Sequence, residues 1–139
     1  MIIPYLQSDL SIPAYYHAHE HDAGYDVYAL QDTWLLPFQT KKIPVNIHIN
    51  IPEGYCALLT GRSGNSLRGL MFHIGTIDAG YTGKIQAVIT NLTLLPKRIK
   101  KGDRIGQLVF FPIPEVSMIC YTYLPPTERG NKGLGSTGR

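Results

Sequence analysis

The sequence of 139 residues contains few charged residues and no long hydrophobic run. No apolar stretch reaches the roughly 18 residues that a membrane-spanning helix needs, so the sequence predicts none. Charged residues make up 17% of the chain and hydrophobic residues 44%, a composition that excludes intrinsic disorder. The length favours one domain and excludes an enzyme with separate cofactor and substrate domains. The first residues lack a basic region followed by an apolar core, so we expect no signal peptide.

Cysteine is scarce as well. The only two, Cys56 and Cys120, each lie within an apolar run. This pattern excludes a disulfide-rich scaffold and predicts two buried free thiols in a reducing compartment. We therefore expect an intracellular protein of the cytoplasm, the nucleus or both.

The net charge of +3 is too mild for a general nucleic-acid-binding protein. The positive residues are nevertheless clustered, and two groups stand out: Lys97, Arg98, Lys100, Lys101 and Arg104 in one, and Arg129, Lys132 and Arg139 in the other. Such clusters suit a small polyanion, for example a triphosphate. A solvated surface is the alternative interpretation.

Helical periodicity is nearly absent, whereas strand periodicity is frequent. In Ile43–Ile51 every odd position is β-branched and apolar, and every even position is polar or proline, which is typical of a half-buried strand. Further strands are predicted at Tyr55–Thr60, Lys84–Asn91, Ile105–Phe111 and Val116–Tyr123. Short strands at this spacing predict an all-β sandwich or barrel.

Turn signals separate these strands at Pro52-Glu53-Gly54, Asp78-Ala79-Gly80 and Lys101-Gly102-Asp103. One segment, Gly64–Gly69, predicts a turn or two of helix that begins next to Ser63 and ends at Gly69. Residues 129–139 contain four glycines and almost nothing to bury, so we expect a mobile tail. The chain therefore divides into a β-barrel domain, 1–128, and a tail, 129–139.

Three segments resemble phosphate-binding loops: Arg62-Ser63-Gly64, residues 102–107, and residues 129–137. Each combines a cation with hydroxyl, amide or glycine backbone groups that a phosphate can use. None fits the Walker pattern. Each segment alone is weak evidence, since such tripeptides are usually turns, but three in one small domain favour a phosphate ligand.

Two aspartates, Asp26 and Asp78, lie in glycine-flanked, turn-like segments. One could hold a divalent cation while the other activates water, and turn capping is the alternative for both. His17, His19 and His21 alternate, which makes a zinc site conceivable, although the segment is more typical of a loop. No motif supports Cys56 as a nucleophile.

Five segments follow one another along the chain: A-G-Y-D-V-Y-A (23–29), G-R-S-G (61–64), G-T-I-D-A-G-Y-T-G (75–83), G-D-R-I-G-Q-L (102–108) and R-G-N-K-G-L-G-S-T-G (129–138). In this order they resemble the five motifs of the trimeric dUTP pyrophosphatases, or dUTPases. The resemblance covers the chain from about residue 10 to its end. Compact viral and cellular members of that family have this size.

The resemblance implies a distorted jelly-roll β-barrel. It also implies a homotrimer whose three active sites are each built from all three subunits, with the tail of one subunit folding over the nucleotide in another subunit's site. The implied activity is Mg²⁺-assisted hydrolysis of dUTP to dUMP and pyrophosphate, by in-line attack of water on the α-phosphorus. This activity limits uracil incorporation into DNA and supplies dUMP.

Residue roles follow from the same resemblance. Asp78 resembles the base that deprotonates the attacking water, Asp26 resembles the aspartate that holds Mg²⁺ through water, and Arg104 is expected to brace the site near Asp26. Tyr81 resembles the tyrosine that packs on the deoxyribose and leaves no room for a 2′-hydroxyl. The remaining substrate contacts implied are Arg62, Ser63, Gly64 and Gln107 for phosphates, Gly75, Thr76 and Gln86 for uracil, and Arg129, Leu134, Gly135, Ser136 and Thr137 in the tail.

The sequence departs from the family pattern at several positions. Leu134 stands where an aromatic ring usually covers the uracil, and Gly80 replaces an acidic residue. Asn65-Ser66 and Gly106 are also unusual. None of these changes removes a group that takes part in the chemistry. We therefore expect them to affect the catalytic rate and the affinity of the tail for the nucleotide more than the type of reaction.

Three alternatives remain at this stage. The first is a relative that has lost catalysis and binds a protein partner. The second is a dCTP deaminase, which needs a glutamate near the base, whereas no glutamate lies between Glu53 and Glu115. The third is a nucleic-acid-binding β-barrel, which the lack of aromatic residues among the basic ones disfavours.

Overall fold

The computed structural model describes residues 1–131 and 133, and these form twelve β-strands and one short helix. The first six strands are β1 (Tyr5–Leu6), β2 (Tyr15–Tyr16), β3 (Tyr25–Tyr28), β4 (Thr33–Leu35), β5 (Thr40–Pro44) and β6 (His48–Ile49). Next come β7 (Tyr55–Gly61), helix α1 (Ser63–Leu67), β8 (Leu70–His73), β9 (Gly75–Ile77), β10 (Gln86–Asn91), β11 (Lys97–Ile99) and β12 (Arg104–Pro112). The all-β prediction is therefore confirmed.

The largest sheet has the strand order β2-β3-β12-β7-β9. Its centre is β12, which pairs antiparallel with β7 from Gly106 opposite Gly61 to Pro112 opposite Tyr55. A three-stranded sheet, β5-β10-β8, and the pairs β1-β6 and β4-β11 complete the fold. Buried aliphatic side chains from these sheets form one contiguous core. Burial of such side chains supplies most of the driving force for folding.

The alternation in Ile43–Ile51 predicts burial correctly but not the strand. All five odd positions are buried: Ile43, Val45, Ile47, Ile49 and Ile51. A single continuous strand is wrong, because β5 ends at Pro44 and only His48–Ile49 is again a strand. The chain changes partners here: Pro44 is opposite Gln86 of β10, whereas the backbone N–H of Asn46 donates to Tyr28 O at 2.9 Å.

Asn46 is a second departure from the alternation, since this even-position polar residue is fully buried. Its side-chain amide donates to the carbonyl oxygens of Asp9 (2.8 Å), Ile12 (2.9 Å) and Pro13 (3.2 Å), and its Oδ1 accepts from the Asp9 N–H (2.8 Å). A buried amide is tolerated when it is hydrogen-bonded in this way. Asn46 thus fixes the irregular segment before β2 against the core.

The predictions for Tyr55–Thr60, Lys84–Asn91 and Ile105–Phe111 agree with β7, β10 and β12 to within two residues at each end. The predicted strand Val116–Tyr123 is wrong. That segment has no strand partner in the described part of the chain, and its apolar side chains are exposed. Period-two patterning marks a segment that suits a sheet, but a strand forms only where another strand offers backbone groups to pair with.

The short helix predicted near Gly64–Gly69 is confirmed as α1. It ends before Gly69, whose φ of +79° lies in the left-handed region that a glycine adopts without strain. Leu92 N donates to Gly69 O at 2.8 Å, so this turn also anchors the loop after β10. None of the helices in the part of the chain described here is long and apolar enough to cross a membrane.

The basic cluster at 97–101 is partly used in ion pairs. Lys101 Nζ contacts Asp9 and Arg98 contacts Asp32, which also accepts from the Lys101 N–H at 2.8 Å. The Lys101 ammonium, together with hydrogen bonds from Ser11, lowers the pKa of Asp9. The hydrogen bond from the Lys101 backbone N–H lowers the pKa of Asp32 most, and the hydrogen bond from the Arg98 side chain lowers it further. These contacts therefore stabilise the fold at neutral pH and are lost only as the pH falls through the lowered values.

Candidate functional site

The carboxylate of Asp26 is held between two arginines. Arg62 Nε lies 2.9 Å from Oδ1, and Arg104 Nη1 lies 3.3 Å from Oδ2. The Asp26 side chain is only 14% exposed, whereas those of Arg62 and Arg104 are 33% and 40% exposed. Both carboxylate oxygens are therefore engaged, and the group has one fixed orientation.

Strand register brings these three residues together. Asp26 on β3 lies opposite Gln107 on β12, which in turn lies opposite Thr60 on β7. Arg62 follows the end of β7, and Arg104 begins β12. The register shifts between Arg104 and Gly106, as in a β-bulge, and such a shift re-aims side chains at the edge of a ladder.

Gln107 packs directly against Gly24, and a side chain at that position would force the end of Gln107 to move. A Cβ at Gly24 would lie 2.3 Å from Gln107 Oε1, which is far inside van der Waals contact. Gln107 Nε2 approaches Gly61 O at 3.5 Å. Together with Asp26 and Tyr16, Gln107 borders a cavity of about 200 Å³. Gln107, which the motif on β12 predicts as a phosphate contact, thus lines the same cavity as Asp26.

The loop predicted to hold phosphate begins α1 and lies beside the arginine pair. Ser63 and Gly64 are exposed. Asn65 Nδ2 donates to Ile105 O at 3.1 Å, which ties α1 to β12. The unusual Asn65 therefore has a structural role. Gly106 is likewise explained, because a Cβ there would lie 2.8 Å from both Phe72 Cε2 and Thr60 O.

A second group of predicted residues surrounds a separate cavity of about 480 Å³ beside β9, the turn that follows it and the start of β10. Its predicted members are Gly75, Thr76, Asp78, Tyr81 and Gln86, and Lys42 and Lys84 also line it. Asp78 is exposed directly after β9, and its carboxylate has neither a hydrogen bond nor an ion pair within residues 1–131 and 133. A carboxylate without a competing partner is available to accept a proton from a ligand or a water.

Tyr81 is held in place by the turn that carries it. Its hydroxyl donates to Lys84 O at 3.1 Å, and its backbone N–H donates to Asp78 O at 3.3 Å. Gly83 leaves room for the ring, since a Cβ there would lie 2.5 Å from the tyrosine oxygen. Gly80, which replaces the acidic residue of the family pattern, has φ +75°. A glycine adopts this left-handed turn without strain.

The two groups do not meet within one chain. Arg62 follows one end of β7, whereas Asp78 follows β9 at the opposite end, next to the pair Ala57–Ile77. Asp78 lies one residue beyond Ile77, so about six positions along β7 separate it from Arg62, which at about 3.3 Å per residue is roughly 20 Å. Gly75 is nearer to Arg62, because it lies opposite Leu59. The structure therefore brings Asp26, Arg62, Arg104 and Gln107 together, and Gly75, Thr76, Asp78, Tyr81 and Gln86 together, in two places.

The predicted tail is described only in part. Arg129 is exposed, and Gly130 N donates to Thr127 Oγ1 at 3.0 Å. The predicted contacts Leu134, Gly135, Ser136 and Thr137 lie outside the described residues.

Sequence reasoning missed two residues. The ring of Tyr16 lies 4.8 Å from the Arg104 guanidinium carbon and borders the Asp26 cavity, and Lys42 of β5 lines the Asp78 cavity. Neither Tyr16 nor Lys42 belongs to a motif. The one signal in the sequence is that Lys42 precedes the core residue Ile43 in an alternating strand, which indicates that Lys42 faces outward. His17 stacks on Tyr25 with ring centroids 4.3 Å apart. No group of three potential metal-ligating residues occurs where the structure describes the chain.

Comparisons with known proteins converge on one family. The dUTPase family profile matches residues 11–138. The deoxyuridine 5′-triphosphate nucleotidohydrolase of Leifsonia xyli subsp. xyli is 36% identical over 131 residues, which cover 91% of this chain and 85% of that protein.

Solved structures agree with the sequence comparison. The dUTPase of Staphylococcus bacteriophage 80alpha, solved with dUpNHpp, is 30% identical and has a TM-score of 0.93 over 99% of both chains. A mutant dUTPase from phage phi11 of S. aureus, which coordinates a structural Mg(II) ion, is 26% identical with a TM-score of 0.83 over 89% of this chain and 99% of its own. The expected jelly-roll fold is thereby confirmed.

Proposed function

The chain belongs to the dUTPase family and is a dUTP diphosphatase, and we propose that the two groups of residues described above carry out the hydrolysis. The observation that carries this assignment is the Asp78 carboxylate, which lies exposed and unpartnered among the described residues beside the Tyr81 turn. The reaction yields dUMP and pyrophosphate, which limits uracil incorporation into DNA and supplies dUMP.

In the proposed mechanism, Asp78 is the general base. It orients a water in line with the α-phosphorus and takes one proton as the new oxygen–phosphorus bond forms. The bond between the α-phosphorus and the bridging oxygen breaks, and pyrophosphate leaves. General-base catalysis by a positioned carboxylate supplies on the order of 10²–10⁴-fold in rate.

Mg²⁺ is the proposed cofactor. Each oxygen of Asp26 contacts one arginine and keeps further acceptor capacity, so a water ligand of the ion can donate to it. Mg²⁺ in proteins typically uses one or two carboxylates together with waters and substrate phosphates, which fits this single carboxylate beside a cavity. When bound, the ion neutralises charge on the phosphate oxygens. The structural Mg(II) ion of the phi11 relative supports Mg²⁺ binding by this fold.

In this proposal the arginines orient Asp26 and the loops hold the phosphates. Arg62 and Arg104 keep the Asp26 carboxylate in one orientation, and a fixed orientation lowers the entropic cost of reaching the transition state. The proposed phosphate and base contacts are Ser63, Gly64, Gln107, Arg129, Leu134, Gly135, Ser136 and Thr137. Backbone groups near Gly75, Thr76 and Gln86 read the uracil. Cytosine is rejected because its reversed donors and acceptors leave buried groups unpaired.

Tyr81 is proposed to exclude ribonucleotides. Because its hydroxyl and backbone are both tied to its own turn, the ring presents one rigid face to the sugar. We expect Tyr81→Ala to lower the preference for dUTP over UTP, measured as the ratio of the two kcat/KM values, by roughly 10-fold or more. Tyr55→Ala, an aromatic truncation outside this cavity, serves as the control. An unchanged ratio in Tyr81→Ala would place sugar discrimination elsewhere.

We also propose a homotrimer with shared active sites. The separation of roughly 20 Å between Asp78 and Arg62 supports this, since the reaction needs both groups at one nucleotide. The apolar side chains between Ile113 and Leu124 are exposed in the single chain and suit burial against another subunit. The division into a domain, 1–128, and a closing tail, 129–139, belongs to the same proposal. Sedimentation velocity tests the trimer, and a monomer at micromolar concentration contradicts it.

An intracellular, reducing location is proposed from the cysteines. Cys56 and Cys120 are both free, and Cys120 is exposed. An exposed thiol persists where glutathione keeps thiols reduced. Localisation of a tagged protein in its host would separate cytoplasm from nucleus, and recovery from the secreted fraction would contradict the proposal.

Pyrophosphate release from dUTP tests the whole assignment. We expect release in the presence of Mg²⁺, strong loss on chelation with EDTA, and little release from dCTP or UTP. Similar rates with all three nucleotides would contradict the proposed uracil and sugar selection.

A further inference from the structure

An apolar surface lies on the loops that Asn91 binds and plays no part in the proposed chemistry. It consists of Trp34, Leu36, Phe38, Leu94 and Leu95, here called the Trp34–Leu95 surface. Each of these residues is between 54% and 79% exposed. Exposed large hydrophobic residues are ordinary singly, but a contiguous set marks an interaction site.

Asn91 holds the two loops of this surface together. The fully buried side chain of Asn91 donates to Leu36 O at 3.2 Å and to Leu95 O at 2.8 Å, and its backbone O accepts from Phe38 N at 2.8 Å. The backbone segments that carry Leu36, Phe38 and Leu95 are thus held together by one buried side chain. Ordering them for a partner costs little conformational entropy.

Phe38 is displayed at a cost in backbone strain. Its φ of +59° makes it the one non-glycine residue with positive φ in the described part of the chain. A left-handed conformation is strained for a residue with a Cβ, and a glycine here would relax it. Strained residues that persist in this way cluster at functional sites. A large aromatic side chain held outward in a strained turn therefore indicates a binding role.

The charge around the surface specifies the partner. The segment 93–102, which carries Leu94, Leu95 and β11, contains no aspartate or glutamate. It contains Lys97, Arg98, Lys100 and Lys101, and the neighbouring Asp103 accepts from the Lys100 N–H at 2.8 Å. Asp32 and Asp9 bind Arg98 and Lys101, whereas Lys97 has no ion pair in the described residues. The surface is thus apolar and cationic, and it complements an acidic segment with apolar side chains.

The sheet beneath the surface has a free edge. β4 and β11 form a two-stranded sheet, and β11 has no second strand partner in residues 1–131 and 133. An extended peptide can add to such an edge through backbone hydrogen bonds, which a lipid surface cannot offer. Lys97 and Arg98 on this edge would repel a second copy of the same strand, as charged edge residues do.

We propose that the Trp34–Leu95 surface docks an acidic, apolar segment of another protein, which pairs with β11 and packs its side chains on the leucines and Phe38. The segment is recognised by alternating carboxylates and apolar side chains. This binding is independent of dUTP hydrolysis, because none of its residues belongs to the proposed active site.

Fluorescence of Trp34, the single tryptophan of the chain, measures this binding directly. The probe is a synthetic ten-residue peptide of alternating glutamate and leucine, titrated into the full-length protein. We expect a saturable change in emission that weakens with salt. Lys97→Glu and Leu95→Ser should each weaken binding by about tenfold or more. Leu10→Ser, an exposed leucine elsewhere, and a peptide with lysine in place of glutamate serve as matched controls.

Three results would overturn the proposal. The first is no emission change with the acidic peptide. The second is a change with phosphatidylserine vesicles that the peptide does not produce, which would indicate a membrane surface. The third is an altered oligomer mass in Leu95→Ser, which would indicate an interface between copies. Hydrolysis of dUTP by Lys97→Glu should equal that of the unmodified protein, so failure here is distinguishable from failure of the proposed active site.

Discussion

The Asp78→Asn variant should bind dUTP nearly as well as the unmodified protein and turn it over roughly 10²–10⁴-fold more slowly. Asparagine has the same shape as aspartate but cannot take the proton from water. The Asp78 carboxylate makes no hydrogen bond or ion pair within the described residues, so the substitution breaks no structural contact. A lower kcat with little change in binding is the signature of a group that acts in the transition state.

Single-turnover pyrophosphate release and equilibrium titration with a non-hydrolysable dUTP analogue separate the two quantities. Glu53→Gln is the matched control, since Glu53 is also an exposed carboxylate, in the turn that precedes β7. It should leave both quantities unchanged. Normal turnover in Asp78→Asn would remove Asp78 from the mechanism.

Deletion of residues 129–139 should lower kcat/KM by roughly 10²-fold or more while the protein stays folded and oligomeric. The sequence of this segment offers a guanidinium, two hydroxyls and several glycine amides to a triphosphate, but almost no side chain to bury in a core. Binding energy from the nucleotide would offset the entropy of ordering it, and closure would exclude water. Thermal unfolding should be nearly unchanged, because the sequence of the segment offers almost no side chain for a core.

Subunit mixing sharpens this prediction. If the tail of one subunit closes the site of another, the Asp78→Asn chain and the tail-deleted chain can complement each other. Mixed trimers formed after partial unfolding and refolding should recover activity that neither variant has alone. Full activity after deletion would show that the tail is no lid. Recovery of no activity on mixing, with trimers present, would place the tail and Asp78 of one chain in the same site.

Much of the fold is predictable from local patterns. Alternation in Ile43–Ile51 predicts which side chains enter the core, because side-chain direction has the same period as the strand. It does not predict that the chain leaves β10 after Pro44 and turns to Tyr28, since partner choice is not encoded in one segment. Val116–Tyr123 fails for a related reason: its pattern suits a sheet, but the described residues of its own chain provide no strand to pair with.

The site is predictable in part for the same physical reason. Motif residues Asp26, Arg62 and Arg104 meet because three strands align them, which the order of motifs makes plausible but does not specify. The separation of Asp78 from this group depends on the antiparallel direction of β9 along β7, and only the three-dimensional structure gives it. Tyr16 supports Arg104 through a ring face, an interaction that has no sequence signature.

The ladder that aligns Asp26, Gln107 and Thr60 also determines when the site can form during folding. The contact between Arg104 and Asp26 joins residues 78 positions apart. Chains dominated by such distant contacts fold slowly, because the entropy cost of closing a long loop comes before the favourable energy of strand pairing. During synthesis on a ribosome, the contacts of Asp26 with both Arg62 and Arg104 therefore cannot be complete until β12 has emerged and entered the sheet between β3 and β7. Nucleotide affinity should thus appear abruptly and late in folding, and a time course of analogue binding would report closure of the central sheet.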